Sequence, residues 1–405
     1  MDLAFLPQAP AVSRLMLLGM LLLAALAAGE AVRRYAKVPR ITGYVIIGAL
    51  LGPEGAGLIN GDALFEMRLL VDLAIGLVVF DLGRRLDMTW LRRNRWLVVG
   101  ALAESVFCFW AIYAALSFFG FTPLLASIAA AIGTSTSPAV VILVSEELRS
   151  EGQVTERLML FTAVNTVLAY LLLALLLPFL HLQHDVDWKT AVLHPAYVFA
   201  GAAAVGAIAS MVLLRFARWL GKKPDRQFIL QIAVVVITIG VAHSLKISVP
   251  VALVTLGLLA RNTDSRHDLV PVPYGHGGQV FFLILFVLTG ASLEFHLFGV
   301  ATATAVAVFI VARFLGKAAA LLTFGVASGI PKGGAGLLAI ALLPLSGQAV
   351  VMVRDTVSLY PSFGRELAAI VLSAVAVLEL VGPIATEFAL RRAGEAHPEP
   401  AREAV

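Results

Sequence analysis

Three ionisable side chains lie deep inside long apolar stretches of this chain: Glu104, Arg313 and Glu379. An amide and a hydroxyl, Asn165 and Thr166, lie at a similar depth in another apolar stretch. A charge at the centre of a bilayer costs roughly 2.5–3.5 kcal/mol on the insertion scale, so such residues mark ion pathways, proton relays or buried ion pairs. Because a buried arginine needs an acidic partner, we expect Arg313 to pair with Glu104 or Glu379.

Two interpretations of this pair stay open on the residues alone. A buried ion pair can brace a helix bundle, or it can open when a cation or a proton displaces Arg313. Lys317 is one turn further along the chain than Arg313, and we expect its ammonium group to extend to the membrane surface. We expect Asp81 to pair with Arg84 or Arg85.

A run of small polar residues interrupts the apolar stretch 123–144. Proline removes a backbone donor and clashes with the preceding turn, and irregular backbone at membrane depth survives only where protein or a water-filled cavity covers it. A helix broken here leaves free backbone groups near the midplane, which is how membrane transporters build ion sites. The alternative is a kinked helix whose hydroxyls bond back to their own carbonyls. The run consists of Gly133, Thr134, Ser135, Thr136, Ser137 and Pro138.

A second cluster of glycine and proline, 329–336, enters a later apolar stretch and includes Gly333, Gly334 and Gly336. It follows the first interruption by seven predicted spans, and an odd offset reverses the chain direction, as an inverted-topology repeat requires. We therefore expect two broken helices that cross near the midplane, each presenting one positive and one negative dipole end. Chance occurrence of two such clusters is the alternative.

Composition defines the class of protein that holds these residues. The 405 residues are 60% hydrophobic and 14% charged, whereas a soluble domain is about one quarter charged. We expect an all-α polytopic membrane protein, with about 20 apolar residues for each span. Thirteen spans are predicted at about 12–29, 40–53, 66–83, 95–120, 123–145, 157–182, 194–217, 228–245, 249–260, 278–293, 299–325, 332–353 and 363–390.

Charge predicts the orientation of these spans. Lysine and arginine accumulate in cytoplasmic loops, and the alternate loops 33–40, 84–95, 149–157, 215–226, 261–266, 332 and 391–402 hold most of these residues. This places the N-terminus outside the cell's inner (plasma) membrane and the C-terminus in the cytoplasm. The basic residues lie in loops between spans, so they do not indicate nucleic-acid binding. We expect the polar tail 395–405 to be disordered.

Five segments resemble the monovalent cation:proton antiporter superfamily, in particular its Kef-like and sodium/proton exchanger branch. The resemblance extends over nearly the whole chain, and the order and spacing of the segments carry it. They are Thr42-Gly43-Tyr44 to Leu51-Gly52-Pro53, Phe80-Asp81-Leu82-Gly83 to Asp87, Ser135 to Val141, Pro331 to Ile340, and Glu379-Leu380-Val381-Gly382-Pro383.

The resemblance implies a secondary transporter that exchanges a monovalent cation, Na⁺ or K⁺, for a proton by alternating access. It implies a homodimer in the lipid bilayer and neither enzymatic activity nor a cofactor. The transporter domain is 1–394, with a moving core at about 95–182 and 299–390. A dimer or scaffold domain at about 12–83 and 228–293 holds the core, and the helix 194–217 links the two.

One position departs from the family pattern. Where relatives carry an aspartate in the sixth span, this chain has Thr166 after Asn165. A threonine hydroxyl does not titrate and offers a cation one neutral oxygen. Three hypotheses follow, and we favour the first: an antiporter whose titrating group has moved to Glu379 or Glu104.

The second hypothesis is a transporter of the same fold without proton coupling, which carries an anion or organic solute attracted to Arg313. The third is an intramembrane enzyme with Ser135 or Ser137 as nucleophile and His243 as base. No Gly-x-Ser-x-Gly motif surrounds either serine.

Overall fold

The computed structural model describes residues 14–182, 188–265, 268–270, 276–293, 296, 300–325, 328–345, 347–359 and 361–397. Within these ranges all regular secondary structure is helical. π-Helical turns at Val32–Ala36 and Leu321–Gly325 extend α1 and α14. The α-helices are α1 Arg14–Ala31, α2 Arg40–Leu51, α3 Gly61–Glu66, α4 Arg68–Arg84, α5 Met88–Arg93, α6 Arg95–Phe118, α7 Pro123–Thr134, α8 Pro138–Glu147, α9 Gln153–Leu182, α10 Trp188–Leu220, α11 Pro224–Ser244, α12 Val249–Thr263, α13 His276–Ala291, α14 Val300–Ala320, α15 Lys332–Ala341, α16 Gly347–Leu359 and α17 Pro361–Arg392.

Eight stretches of the described chain are long and apolar enough to cross a membrane, and three shorter apolar helices accompany them. The broken stretch Pro123–Glu147 is one of the eight, and 89% of its most apolar window is buried inside the protein rather than facing lipid. The predicted all-helical membrane architecture is confirmed. The count of thirteen spans stays a prediction.

Close helix contacts position the functional residues. Helix α6, which carries Glu104, packs along α14, which carries Arg313 and Lys317. Gly316 lies in this contact, where a Cβ atom would come within 2.8 Å of the Cα atom of Cys108. A small residue lets two membrane helices approach closely, so the charged side chains of α14 reach the interior of the bundle.

The beginning of the tail is ordered against the bundle, so the predicted disorder is wrong for 395–397. The carboxylate of Glu395 accepts hydrogen bonds from the backbone N–H groups of Val154 (2.7 Å) and Thr155 (2.8 Å). It thereby satisfies donors that the first turn of a helix leaves free. Gly152 leaves room for this contact, since a Cβ atom there would lie 2.3 Å from Cδ of Glu395. Residues 398–405 lie outside the described ranges.

Candidate ion-binding site

The first interruption lies where the sequence predicts it. Helix α7 ends at Thr134 and α8 begins at Pro138, with Ser137 as its N-cap residue. The hydroxyls of Thr134 and Ser135 donate to the carbonyls of Ala131 and Ile132, each at 2.7 Å. These two hydroxyls therefore satisfy the end of α7, and the helix is nevertheless broken rather than merely kinked.

The second interruption lies between Ala341, the last residue of α15, and Gly347, the first residue of α16. The prediction that placed it at 329–336 is wrong: Gly333, Gly334 and Gly336 lie within the first turns of α15. The glycine cluster instead forms the turn before α15 and the start of that helix: Gly329 in the turn has a φ angle of +80°, and Pro331 is the N-cap residue. Pro344 lies within the true break, where it has no backbone N–H to donate and its ring clashes with the preceding turn of a helix.

The two interruptions touch each other. The backbone N–H of Ser137 donates to the carbonyl of Pro344 at 3.0 Å, so the two broken helices cross at this point. The predicted crossing is confirmed, although the second helix crosses at a different segment from the predicted one.

Arg313 holds the crossing together through backbone carbonyls. Its guanidinium donates to the carbonyls of Gly133 (2.8 Å), Ser135 (2.7 Å) and Leu343 (2.7 Å), and two longer bonds reach Leu342 and Pro344. The prediction that it pairs with Glu104 or Glu379 is wrong. The last carbonyls of a helix lack partners and carry partial negative charge, so the ends of α7 and α15 together replace the carboxylate.

Gly133 is needed for this arrangement. A Cβ atom at this position would come within 2.5 Å of Cδ1 of Ile112 and 2.8 Å of Cζ of Phe309. The absence of a side chain lets α7 end against α6 and α14, so that its last carbonyls come within reach of Arg313.

Lys317, rather than Arg313, forms the buried ion pair with Glu104. Its ammonium group lies 2.5 Å from Oε1 of Glu104, and both side chains are fully buried. It also donates to the carbonyl of Thr134 (3.1 Å) and to the hydroxyl of Thr136 (3.3 Å). The expectation that Lys317 extends to the membrane surface is therefore wrong. Its spacing of four residues from Arg313, which places both on one helix face, is the signal for its site role.

Asn165 extends this network into α9. Its amide donates to the hydroxyl of Thr136 at 3.2 Å, and its carbonyl accepts from the hydroxyl of Ser105 at 2.7 Å. Asn165 thus joins α9 to α6 and to the first interruption. The structure brings together Glu104, Lys317, Thr136 and Asn165 as one hydrogen-bonded cluster.

Glu379 lies apart from that cluster and differs from Glu104 in its hydrogen bonding. It is fully buried on α17, and neither carboxyl oxygen has a hydrogen-bond partner among the described residues. It borders a cavity of about 10 Å³ whose polar walls are Ser137, Thr289 and Gln348, close to the smallest volume that holds a water molecule. Pro138 and Gly347, the first residues of α8 and α16, also line this cavity. Helix N-termini carry partial positive charge, so they favour a carboxylate there.

Thr166 contacts this second site. Its hydroxyl lies 3.5 Å from Oε1 of Gln348, and Nε2 of Gln348 has no hydrogen-bond partner among the described residues. Gln348 was not a predicted site residue. A single glutamine in a moderately apolar helix carries no pattern that singles it out.

A larger cavity, of about 470 Å³, begins at the other face of Gln348. Asp72, Asp355 and His243 line it, and the exposed Lys246 at its rim shows that it reaches the surface where α11 ends and α12 begins. His243, the base in the enzyme hypothesis, therefore lies on this cavity wall, while the Ser135 hydroxyl donates to a backbone carbonyl.

The opposite end of the bundle is closed by ion pairs, and we call it the arginine-rich end. Arg33 contacts Glu147 (3.3 Å) and Glu387 (2.9 Å). Arg40 contacts Glu147 (3.2 Å), and Arg85 contacts Glu146 (2.7 Å). These contacts join α1, α2 and α4 to α8 and α17. The predicted pairing of Asp81 with Arg84 or Arg85 is confirmed, and both contacts form, at 3.0 and 2.7 Å.

Comparisons with known proteins agree with this architecture. No curated protein matches the chain. The chain is similar to the sodium proton antiporter MjNhaP1 from Methanocaldococcus jannaschii, in its structure at pH 8, with 15% identity and a TM-score of 0.63 over 94% of this chain and 96% of that one. An electron-microscopy structure of the same antiporter gives 15% identity and a TM-score of 0.71 over 98% and 100% of the two chains.

The likeness to these structures shows the fold. The family is shown by a second match, because the model described as "Sodium/hydrogen exchanger, transmembrane" covers residues 20–392. The chain therefore belongs to the sodium/hydrogen exchanger family and is a monovalent cation/proton antiporter of that fold.

Proposed function

We propose that Glu379 is the carboxylate that binds the transported cation and the proton in turn. The observation that supports this proposal is its combination of complete burial with two unpartnered oxygens beside a cavity of about 10 Å³. Buried polar groups are nearly always hydrogen-bonded, and an exception points to a bound water, an ion or a catalytic role. Either a proton or a monovalent cation neutralises this carboxylate.

Glu104 is a weaker candidate for this role. Its carboxylate is neutralised by Lys317 at 2.5 Å, and a cation that replaces the lysine must displace a buried ammonium group that three acceptors hold. Loss of one partner from a buried ion pair is strongly destabilising. We therefore assign Glu104 and Lys317 to the structural support of the crossing.

The uncoupled transport of an anion is also less well supported. That hypothesis needs Arg313 to attract the solute, but its guanidinium donates to five backbone carbonyls at the crossing. These bonds engage all three guanidinium nitrogens, and Nη2 alone contacts three of the carbonyls. Little binding capacity is left for an anion.

The proposed cycle needs a single titrating group. A cation enters from the larger cavity, displaces the proton of Glu379 and takes oxygen ligands from Ser137, Thr289 and Gln348. The core then moves against the scaffold, the cation leaves at the arginine-rich end, and a proton takes its place. One carboxylate exchanges one proton for one monovalent cation, so no net charge crosses the membrane. A membrane potential, worth about 2.3 kcal/mol per charge per 100 mV, then leaves the exchange unaffected.

We further propose the sidedness, domains and assembly. The arginine-rich end faces the cytoplasm, as the predicted loop charges require, and the protein lies in the plasma membrane as a homodimer. The ion pairs of Arg33, Arg40 and Arg85 join the scaffold helices α1, α2 and α4 to the core helices α8 and α17. With this division the described state is open to the outside and closed to the cytoplasm.

The test compares E379Q with E366Q, the same substitution at an exposed position of the same helix. Both variants are reconstituted in vesicles with an imposed pH gradient, and Na⁺-driven proton flux is measured with a pH-sensitive dye. We expect E379Q to lose the flux and E366Q to retain it. Wild-type flux in E379Q overturns the assignment, and Na⁺ uptake without proton flux in the unmodified protein overturns proton coupling.

A further inference from the structure

We propose that Gln348 determines cation specificity, as a ligand at the passage between the larger cavity and Glu379. This inference rests on the proposed role of Glu379 and adds a second residue to that site. It concerns the side chain that the cation meets first, whereas the proposed function concerns the group that titrates.

The position of Gln348 supports this role. Gln348 and Ile75 are the two residues that line both the larger cavity and the cavity at Glu379. Ile75 offers no ligand atom, so Gln348 is the polar group that both cavities share. A cation that moves directly from the larger cavity to the carboxylate therefore passes the amide of Gln348.

The hydrogen bonds of Gln348 leave its amide available. Its side chain is buried, its Nε2 atom has no partner among the described residues, and its Oε1 atom has a long contact of 3.5 Å with the hydroxyl of Thr166. An unmade hydrogen bond on a buried amide costs free energy. The amide group and Glu379 border the same cavity with unsatisfied atoms, so they complement one another.

An amide has two faces of opposite polarity, and each suits one state of the site. The carbonyl oxygen is a ligand for a cation beside Glu379, and the NH₂ group is a donor to the ionised carboxylate before a cation arrives. Rotation of the side chain by half a turn exchanges the two faces. Thr166, which cannot titrate, acts on this side chain through its hydroxyl and sets its starting orientation.

The small cavity gives this ligand its selectivity. A space of about 10 Å³ admits an ion that has lost its hydration shell, and the remaining ligands must replace the lost water oxygens. Removal of the amide oxygen removes one of these few ligands and enlarges the cavity. The smaller ion has the greater need for close oxygen ligands, so its binding affinity falls the most.

The test measures the concentration dependence of exchange for Li⁺, Na⁺ and K⁺ in reconstituted vesicles. It compares Q348L and Q348N with Q153L, which changes an exposed glutamine at the start of α9. We expect Q348L to raise the half-saturating Na⁺ concentration roughly tenfold, the loss of about one buried polar contact, and to reduce the preference between Na⁺ and K⁺. Q348N keeps the amide and should fall between Q348L and the unmodified protein. Q153L should not change either quantity.

The outcomes separate this inference from the function on which it rests. If E379Q abolishes exchange while Q348L and Q348N keep the unmodified ion preference and affinity, the role of Gln348 is overturned and that of Glu379 stands. If E379Q exchanges normally, the proposed function itself is overturned. If Q348L does not fold, Q348E gives a second measurement. The added carboxylate at the passage should make exchange respond to an imposed membrane potential. A lack of response contradicts the position of Gln348 on the cation path.

Discussion

Glu104 and Glu379 are both completely buried beside the same helix crossing, yet their surroundings are opposite. Glu104 has an ammonium partner at 2.5 Å and a hydrogen-bonded cluster around it. Glu379 has no hydrogen-bond partner for either oxygen and borders a cavity. Both acids are buried, and they differ in whether a fixed counter-charge neutralises them. We assign the proposed carrier role to the one without a counter-charge.

The crossing itself explains this division. Each broken helix ends in free carbonyls on one side and begins with free N–H groups on the other side. Arg313 and Lys317 lie at the carbonyl ends of α7 and α15, whereas Glu379 shares a cavity with the first residues of α8 and α16. The helix dipoles therefore favour fixed cations on one side and a single anion on the other side.

Removal of one partner of the Glu104–Lys317 pair should have the largest effect. We expect E104Q to lose roughly 3–5 kcal/mol of stability, because Lys317 is then a buried charge without a counter-ion. The double variant E104Q/K317M removes both charges and should recover most of the loss. Thermal unfolding in detergent, followed by size-exclusion chromatography, measures both effects. A stable E104Q protein that has lost exchange would instead make Glu104 the carrier.

A second acid near Glu379 should change the number of protons exchanged. T166D places a titratable group next to Gln348, at the position where the sequence resemblance implies an aspartate. Two carboxylates release two protons for one cation, so one net charge moves in each cycle, and a potential of 100 mV then contributes about 2.3 kcal/mol. We expect Na⁺-driven proton flux in T166D, but not in the unmodified protein, to respond to a diffusion potential.

T166N is the matched control, because an amide of similar size adds no charge. Its flux should not respond to the potential. A response in the unmodified protein would show that more than one group titrates, and that Glu379 is not the sole carrier.

The sequence predicted the class of fold and one half of the crossing, because these depend on local composition. A glycine, four hydroxyls and a proline in an apolar stretch identify the break at Thr134 and Pro138. The second break depends on Pro344 alone, and the glycine-rich turn before α15 gave a stronger but misleading signal. Neither signal is decisive alone: the glycines lie at a helix start, and prolines occur both at the break and inside helices such as α10 and α17.

The sequence did not predict the partners of the buried charges, because these partners depend on the folded backbone. Arg313 is satisfied by carbonyls that become available only after both helices break and cross. A search for acidic side chains overlooks such acceptors. Gln348 is a similar case, since its importance comes from two cavities that form between distant segments of the chain.

The ion pairs at the arginine-rich end give the smallest expected effect and test which side of the crossing is open. Glu147 joins α8, in the proposed core, to both Arg33 and Arg40, in the proposed scaffold. These contacts are partly exposed, so E147Q should weaken the closed state by only about 1 kcal/mol, which is roughly a fivefold change in population. S145C introduces a reporter at a buried position of α8 near this end, and the natural Cys108 is buried as well.

We expect a membrane-impermeant thiol reagent to label S145C severalfold faster when E147Q is also present, because the arginine-rich end then opens more often. E151Q is the control, since Glu151 is an exposed acid in the following loop. Equal labelling rates with and without E147Q would show that these ion pairs do not hold the core to the scaffold. The apolar packing of α8 would then be what separates Glu379 from solvent at the arginine-rich end. The ion pairs would be surface contacts without a role in alternating access.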